Sequence, residues 1–551
     1  MIENLLKYFH TIRFLKIGQI IWRLLKLFKS IDISAPKLIN QRDLINNWHQ
    51  TRTFKINLHN KSSFVFLNKH HDYLGQIDWN DADQDLLWLF NLHYFDDLCS
   101  PFDSNRSIWL RGLVDNWIAA NPPMHGVGWE PYPLSLRIVN WIKWILNGES
   151  VDSSILNSLK LQSHVLSQNV EYHLLGNHIL ANAKALIFAG LFFKGKQAEF
   201  WLNLGLKLYK KHLKEQILSD GGHFELSPMY QNIMLNDLLD IINISNTYDH
   251  PGLREFEDDW HFTAGMMLSW TKTMKHPDDD ISFFNDAAFG IAPTYKELLS
   301  YAIEVGVESH AVSTVNFGET AVTSLSQSGY MRVEQEKLVA ILDCAPIGPD
   351  YLPGHGHADS LSFELSLQNF RVFVNSGTSC YGVSEERVHQ RGTACHNTVM
   401  INGVNSSQVW SGFRVAKRAY PFNFLVEGNE IDLKISCSHD GYKRLKRPVT
   451  HRRDWYFKND AMTILDSMIG PYKTAEAYYL FHPDIIVSAF QDHFILTLPN
   501  LTEIILKTSG GKARLMDAFW YPEFGKSIAT KSMVIEATED RISIVITGFA
   551  K

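Results

Sequence analysis

From about Asp85 to Ile303, apolar residues recur at intervals of three and four, as in LSLRIVNWIKWIL (134–146), HILANAKALIFAGLFF (178–193) and QNIMLNDLLDIINI (231–244). This period predicts a succession of helices. The breaks between them, NPPMHGVGWEPYP (121–133) and DGGHFELSPMY (220–230), gather Gly, Pro and aromatic residues, as loops that face a ligand do. After about residue 315 the period drops to two. In LSFELSLQ the apolar positions 361, 363, 365 and 367 alternate with polar ones; a turn and FRVFVNSG follow, and then HFILTLP, TEIILKTS, MVIEAT and RISIVITGF. The chain therefore divides into an N-terminal helical extension (1–84), a helical array (85–314) and stacked antiparallel sheets of sandwich type (315–551), a multidomain α+β organisation.

Composition narrows the function classes. At 551 residues, with 45% hydrophobic and 20% charged residues, the chain is long enough for more than one core. Its net charge of -7 gives no electrostatic reason to bind nucleic acid, and none is expected as a partner. Cys99, Cys344, Cys380, Cys395 and Cys437 are odd in number and free of CxxC spacing, which argues against a disulfide framework and a zinc ribbon. No GxGxxG after a strand, GxxxxGK[ST], HExxH or GxSxG occurs.

Residues 1–30 intersperse apolar residues with Lys7, Arg13, Lys16, Arg23, Lys26 and Lys29, so no cleavable signal peptide is visible. The expected location is cytoplasmic or at the cell envelope. The same pattern suits a helix docked on the fold, the favoured reading, or one in peripheral contact with a membrane.

Several constellations carry chemistry. In GHGHADSLSFEL (354–365), an extended strand would set His355, His357 and Asp359 on one side, ahead of the apolar stripe. Unpaired charges are costly to bury, so the three form either a hydrogen-bonded cluster at a domain seam or a catalytic or metal-binding pair of imidazoles. ERVHQRGTACHNTVMING (386–403) adds Arg387, His389, Arg391 and His396. Asn177 and His178 begin a helix, where capping is the plain reading. Acidic HPDDDISFFND (276–286) lacks EF-hand spacing and reads as a structural turn or rim.

Taken in order, GNH (176–178), DGGHFELSPMY, GHGHADSLSFEL, VNSG (374–377) and CHNTVMING (395–403) resemble the heparinase II/III-like polysaccharide lyases over about residues 85–420. The resemblance implies an incomplete (α/α) toroid followed by an antiparallel β-sandwich, and β-elimination on a uronic-acid-containing polysaccharide, with a softer analogy to capsule or exopolysaccharide metabolism. It implies that Asn177 and His178 bind the uronate carboxylate. Tyr230 would protonate the leaving oxygen, His355 would act as base or support the tyrosine, and Arg391 would bind an anion. Trp88, Tyr94, Trp129 and Glu225 are the candidate substrate-binding residues; among the helical aromatics, core packing competes for Trp141 and Trp144. The chemistry requires no cofactor. A structural zinc found in some members would fall on His357, Asn375 and His396, where Asn375 departs from the usual aspartate and leaves the metal open.

Two rival readings remain. A glycoside hydrolase on a similar toroid would need two opposed carboxylates, for which Glu130, Glu225 and Asp286 are candidates. A non-catalytic glycan-binding or assembly protein would fit the basic N-terminal segment.

Overall fold

The computed structural model describes residues 2–34, 40–50, 55–100, 104–458 and 460–550. Parts of the expected extension (35–39, 51–54) and of the expected helical array (101–103) lie outside the described residues. The three apolar runs fall in helices Pro131–Leu146, Gly176–Phe192 and Pro228–Tyr248. Neighbours Ser153–Gln168, Lys196–Gln216 and Glu257–Met274 pack beside them. Gly176–Phe192 is buried on every side, which suits an inner helix of a toroid: each of its residues is buried except His178.

The alternating runs form the sandwich. A six-stranded antiparallel meander runs from Thr314–Phe317 to Phe370–Phe373. An eight-stranded sheet includes Ala461–Ile469 and Arg541–Thr547, where inward and outward residues alternate. A four-stranded sheet, Val399–Ile401 to Gly511–Trp520, completes it. One apolar core, containing Phe363, Phe373, Trp455 and Ile544, joins the sheets, while the toroid has its own around Trp117, Trp141 and Trp201.

Residues 1–84 depart from the expected helical extension. Among the described residues there, only Ile2–Ile12 and Ile17–Lys26 are helical; Leu58–Asn60, Ser63–Phe66 and Lys69–Asp72 make an antiparallel sheet. Leu67 and Asn68 both have positive φ, the requirement of a two-residue hairpin turn, and Phe66 packs edge-on against Trp88.

The seam between toroid and sandwich is polar and buried. His276 meets Ser366 Oγ (2.7 Å) and Glu364 Oε2 (2.9 Å) through its two ring nitrogens, and Arg371 donates to Asp278. The segment 276–286, expected as a turn or rim, is thus the toroid's side of this seam. Asp286 ends it: its fully buried carboxylate takes a two-pronged interaction from Arg387, a contact from His357 Nε2 (2.9 Å) and one from Thr378 Oγ1 (3.3 Å).

Burial alone would raise the Asp286 carboxyl, but Arg387 and then His357 outweigh it and hold it far below the usual range. Its stabilisation is therefore complete above the ordinary carboxylate pKa of about 3.9 and fades as pH falls towards its folded value. Asp286→Asn should cost about 3–5 kcal/mol, because Arg387 is left buried without its counter-ion. Urea unfolding at neutral pH should show that loss, and the gap between variant and parent should shrink on acidification.

Candidate active site

A cleft of about 1590 Å³ opens along the seam, with Asn177, His178, Tyr230 and His355 among its walls, together with Glu225, Tyr94, Tyr132 and Tyr381. Three local structures deliver the first four of these groups. Gly176 starts its helix at φ +58°, and a Cβ there would strike Leu352 and crowd Glu225 Oε1, so only glycine lets the helix start sit against Glu225. No side chain caps that helix, which leaves the positive end of its dipole at the cleft beside Asn177 and His178. Tyr230 lies in the first turn of Pro228–Tyr248, with Pro228 at the opening position and Ser227 Oγ accepting from the Tyr230 amide (3.2 Å).

His355 comes from the sandwich side, though not from a strand. The strand spans Phe363–Leu367, and residues 354–362 form a loop with Leu361 at positive φ. The expected one-sided row is therefore corrected: the His355 ring enters the cleft, while His357 and Asp359 are buried. Alternating polar residues between glycines imitate a strand period without forming one.

Within the cleft, the His355 ring stacks on Tyr230 (centroids 3.9 Å apart, planes 13°) and lies parallel to Tyr381 at 6.2 Å. Its Nδ1 is hydrogen-bonded to Glu225 Oε2, and its Nε2 makes no protein hydrogen bond among the described residues. Burial would raise the Glu225 carboxyl, but His355 outweighs it, so Glu225 is ionised. The Tyr230 hydroxyl meets the Tyr381 hydroxyl at 2.9 Å. Burial, reinforced by Tyr381 and Asp286, pushes the Tyr230 phenol well above its ordinary range, so it carries its proton.

His178 Nδ1 lies 3.2 Å from both oxygens of Glu171, and the ring packs on Tyr132 at 4.5 Å. Burial would lower the His178 pKa; Glu171, through charge and hydrogen bonding, overcomes it and raises the pKa. The cleft floor carries Lys143 and Lys184, both bound to Asp240, with Lys184 also reaching Asp237 (2.6 Å).

Other expected residues lie elsewhere. Trp88 and Trp129 are core residues, their indole nitrogens donating to the Lys69 and Asn121 carbonyls; the sugar-stacking role expected of them is corrected, whereas Tyr94 does line the cleft. Arg391 is buried away from the cleft and donates to the carbonyls of Gly356 and Gly412, so it shapes the loop that carries His355 instead of meeting an anion. Its burial, with Arg387 nearby, lowers its pKa to about 9.

His357 Nδ1 and His396 Nε2 lie 3.2 Å apart, while the Asn375 side-chain oxygen accepts from the Asn397 amide and its nitrogen is buried without a partner. Two imidazoles and a neutral amide fall short of a structural zinc's donor set, and among the described residues no group of three His, Cys, Asp or Glu could hold an ion. The residues present do not fit that metal. Nor do the carboxylates suit a hydrolase, since Asp286 is sealed in its ion pair, Glu225 is bound to His355, and Glu130 is not among the cleft walls.

A helical toroid and stacked antiparallel sheets, meeting at a cleft that both furnish, define a toroid-and-sandwich architecture. Family descriptions place the chain within it: "Heparinase II/III N-terminus" matches residues 4–305 and "Heparinase II/III-like, C-terminal" matches 318–547. The chain belongs to the heparinase II/III-like family. Its relatives include a heparin-sulfate lyase of Bacteroides stercoris, 26% identical over 458 residues that cover 73% of this chain and 65% of that one. The FtsZ-localized protein C of Caulobacter vibrioides is 23% identical over 380 residues, 66% of this chain and 61% of that one. The chain thus spans less than two thirds of either relative. A crystal structure of heparinase III shares the fold, with a TM-score of 0.68 at 19% identity, covering 86% of this chain and 80% of that one.

Because Glu171 is the largest influence raising the His178 pKa against burial, Glu171→Gln should lower it. An NMR titration of the His178 ring should show a lower pKa in the variant than in the parent.

Proposed function

We propose that this protein is a polysaccharide lyase that cleaves an acidic, uronate-containing glycan by β-elimination. The observation that carries the reading is the stacked Tyr230–His355 pair, which adjoins the uncapped Asn177–His178 helix start through Glu225. Elimination needs three services. The proton at C5 of a uronate is acidic enough only when charge on its carboxylate is neutralised, which a protonated His178, the Asn177 amide and a helix N-terminus supply together. A base must take that proton: Glu225 holds Nδ1 of His355 and leaves Nε2 free to do so. The electron pair of the C5–H bond then forms the C4–C5 double bond, the C4–O bond breaks, and the leaving oxygen collects a proton. Tyr230, kept protonated by burial, gives it.

Relatives that bear the name heparin-sulfate lyase support an acidic polysaccharide as the substrate class. The name FtsZ-localized protein C carries no reaction, so binding without turnover is an outcome the assay must be able to recognise.

The test is to follow the ultraviolet band of the 4,5-unsaturated uronate while the protein is incubated with a panel of acidic glycans. Absorbance should rise with the parent. Tyr230→Phe should slow it by roughly 10²–10⁴-fold, the usual worth of a positioned acid, with the fold intact by circular dichroism. In Glu171→Gln, the alkaline limb of the rate profile should move to lower pH. New chain ends without the band would replace elimination by hydrolysis, and glycan binding without products would replace catalysis by recognition.

A further inference from the structure

The two N-terminal helices are docked inside out. Ile17–Lys26 places Ile17, Ile20, Ile21, Leu24 and Leu25 on one stripe by the three-and-four spacing of a helix, yet all five are exposed, and Gln19, only 1% exposed, is the residue that faces the protein. Ile2–Ile12 repeats the arrangement with Leu5, Leu6, Phe9 and Ile12 exposed. Attachment is made by the other face: Tyr8 packs edge-on against Trp410, Thr11 donates to the Val415 carbonyl, Gln19 to the Leu174 carbonyl, and Trp22 stacks on Tyr172. The pair therefore spans from toroid to sandwich at the mouth of the cleft, which Tyr8, Thr11, Ile12, Gln19 and Arg23 help to line, with the rest of its apolar side turned to solvent. Phe28, just beyond it, is 86% exposed.

Charge points to what covers this face. Residues 1–30 hold six Lys or Arg against a single acidic residue, Glu3, in a chain whose net charge is -7. Arg13, Arg23, Lys26 and Lys29 are exposed among the apolar residues. Exposed Leu, Ile and Phe flanked by basic residues match the boundary of an anionic bilayer, where apolar groups enter the acyl layer and cations meet the headgroups. A second copy of the same face is a poor match, since a twofold interface would oppose like charges. No helix among the described residues is long and apolar enough to cross a membrane, so the contact would lie in its surface.

We propose that helices Ile2–Ile12 and Ile17–Lys26 form a docking surface for anionic lipid bilayers, holding the protein at the membrane with its cleft alongside. The proposal does not depend on the lyase chemistry. The full chain should co-sediment with vesicles of equal parts phosphatidylglycerol and phosphatidylcholine, far less with phosphatidylcholine alone, and less as salt is added. A Phe9→Ser, Leu24→Ser, Phe28→Ser variant, changing side chains that are 61%, 58% and 86% exposed, should keep its circular dichroism and melting temperature but lose vesicle binding by roughly tenfold or more. Arg23→Gln with Lys26→Gln should reduce the preference for the anionic vesicles. No binding to either vesicle, equal binding to both, or undiminished binding by the triple serine variant would overturn the proposal. So would a dimer that the serine variant dissociates while neither form binds vesicles.

Discussion

One buried carboxylate, that of Asp286, holds the geometry of the cleft together. Its side chain is fixed by Arg387, His357 and Thr378, all from the sandwich, while its backbone belongs to the toroid's seam segment. Its own amide donates to the His355 carbonyl at 3.0 Å, and its carbonyl accepts from Ser227 Oγ, the cap that also receives the Tyr230 amide. Arg387 meanwhile lies over the Tyr381 ring at 4.9 Å, and Tyr381 meets the Tyr230 hydroxyl. Tyr230, His355 and Tyr381 are thus each one or two bonds from the same ion pair. A buried ion pair is weak evidence for stability in itself, since desolvation offsets most of the attraction. Its value here is registration: it sets two domains with separate cores into one relative position, on which the stacking of an imidazole from one on a phenol from the other depends.

The groups lining the cleft are held in different charge states by different partners. Glu171 raises the pKa of His178, while burial keeps the Tyr230 phenol neutral and His355 keeps Glu225 ionised. An imidazole biased towards its charged form, a neutral phenol and an oriented imidazole therefore stand within one cleft. In the proposed elimination, an acidic sugar ring would meet its complement on the toroid side and its proton chemistry at the junction with the sandwich, so neither domain alone would supply every group.

Much of this was legible in the sequence because periodicity reports which residues an element buries. The helices over 131–146, 176–192 and 228–248, and the strands after residue 361, lie where the three-and-four and two-residue patterns put them. Two of the errors come from the folding back of loops. Trp129 sits in a Gly- and Pro-rich break that looks exposed, yet it curls onto Trp117. Arg391 occupies a polar stretch, but the carbonyls of two distant loops converge on it. Tyr381 and Glu171 carried no local signal: Tyr381 reaches Tyr230 across 151 positions, and Glu171 matters only because a turn returns His178 to it. Spacing can nominate a histidine, whereas the partners that set its charge are fixed by tertiary packing.

The N-terminal helices show a different limit. Their period was readable, and docking on the fold was the favoured reading. A helical period fixes the plane that divides apolar from polar residues; it does not fix which half faces the protein. In most surface helices the hydrophobic effect makes that choice, because turning an apolar stripe outward forfeits its burial. Here the choice goes the other way, secured by specific contacts of Tyr8, Thr11, Gln19 and Trp22 that the stripe side could not make. Leaving Ile, Leu and Phe exposed along both helices costs stability in water. A chain that fixes its polar face to both domains while leaving the apolar one uncovered is arranged for an environment in which that cost is recovered.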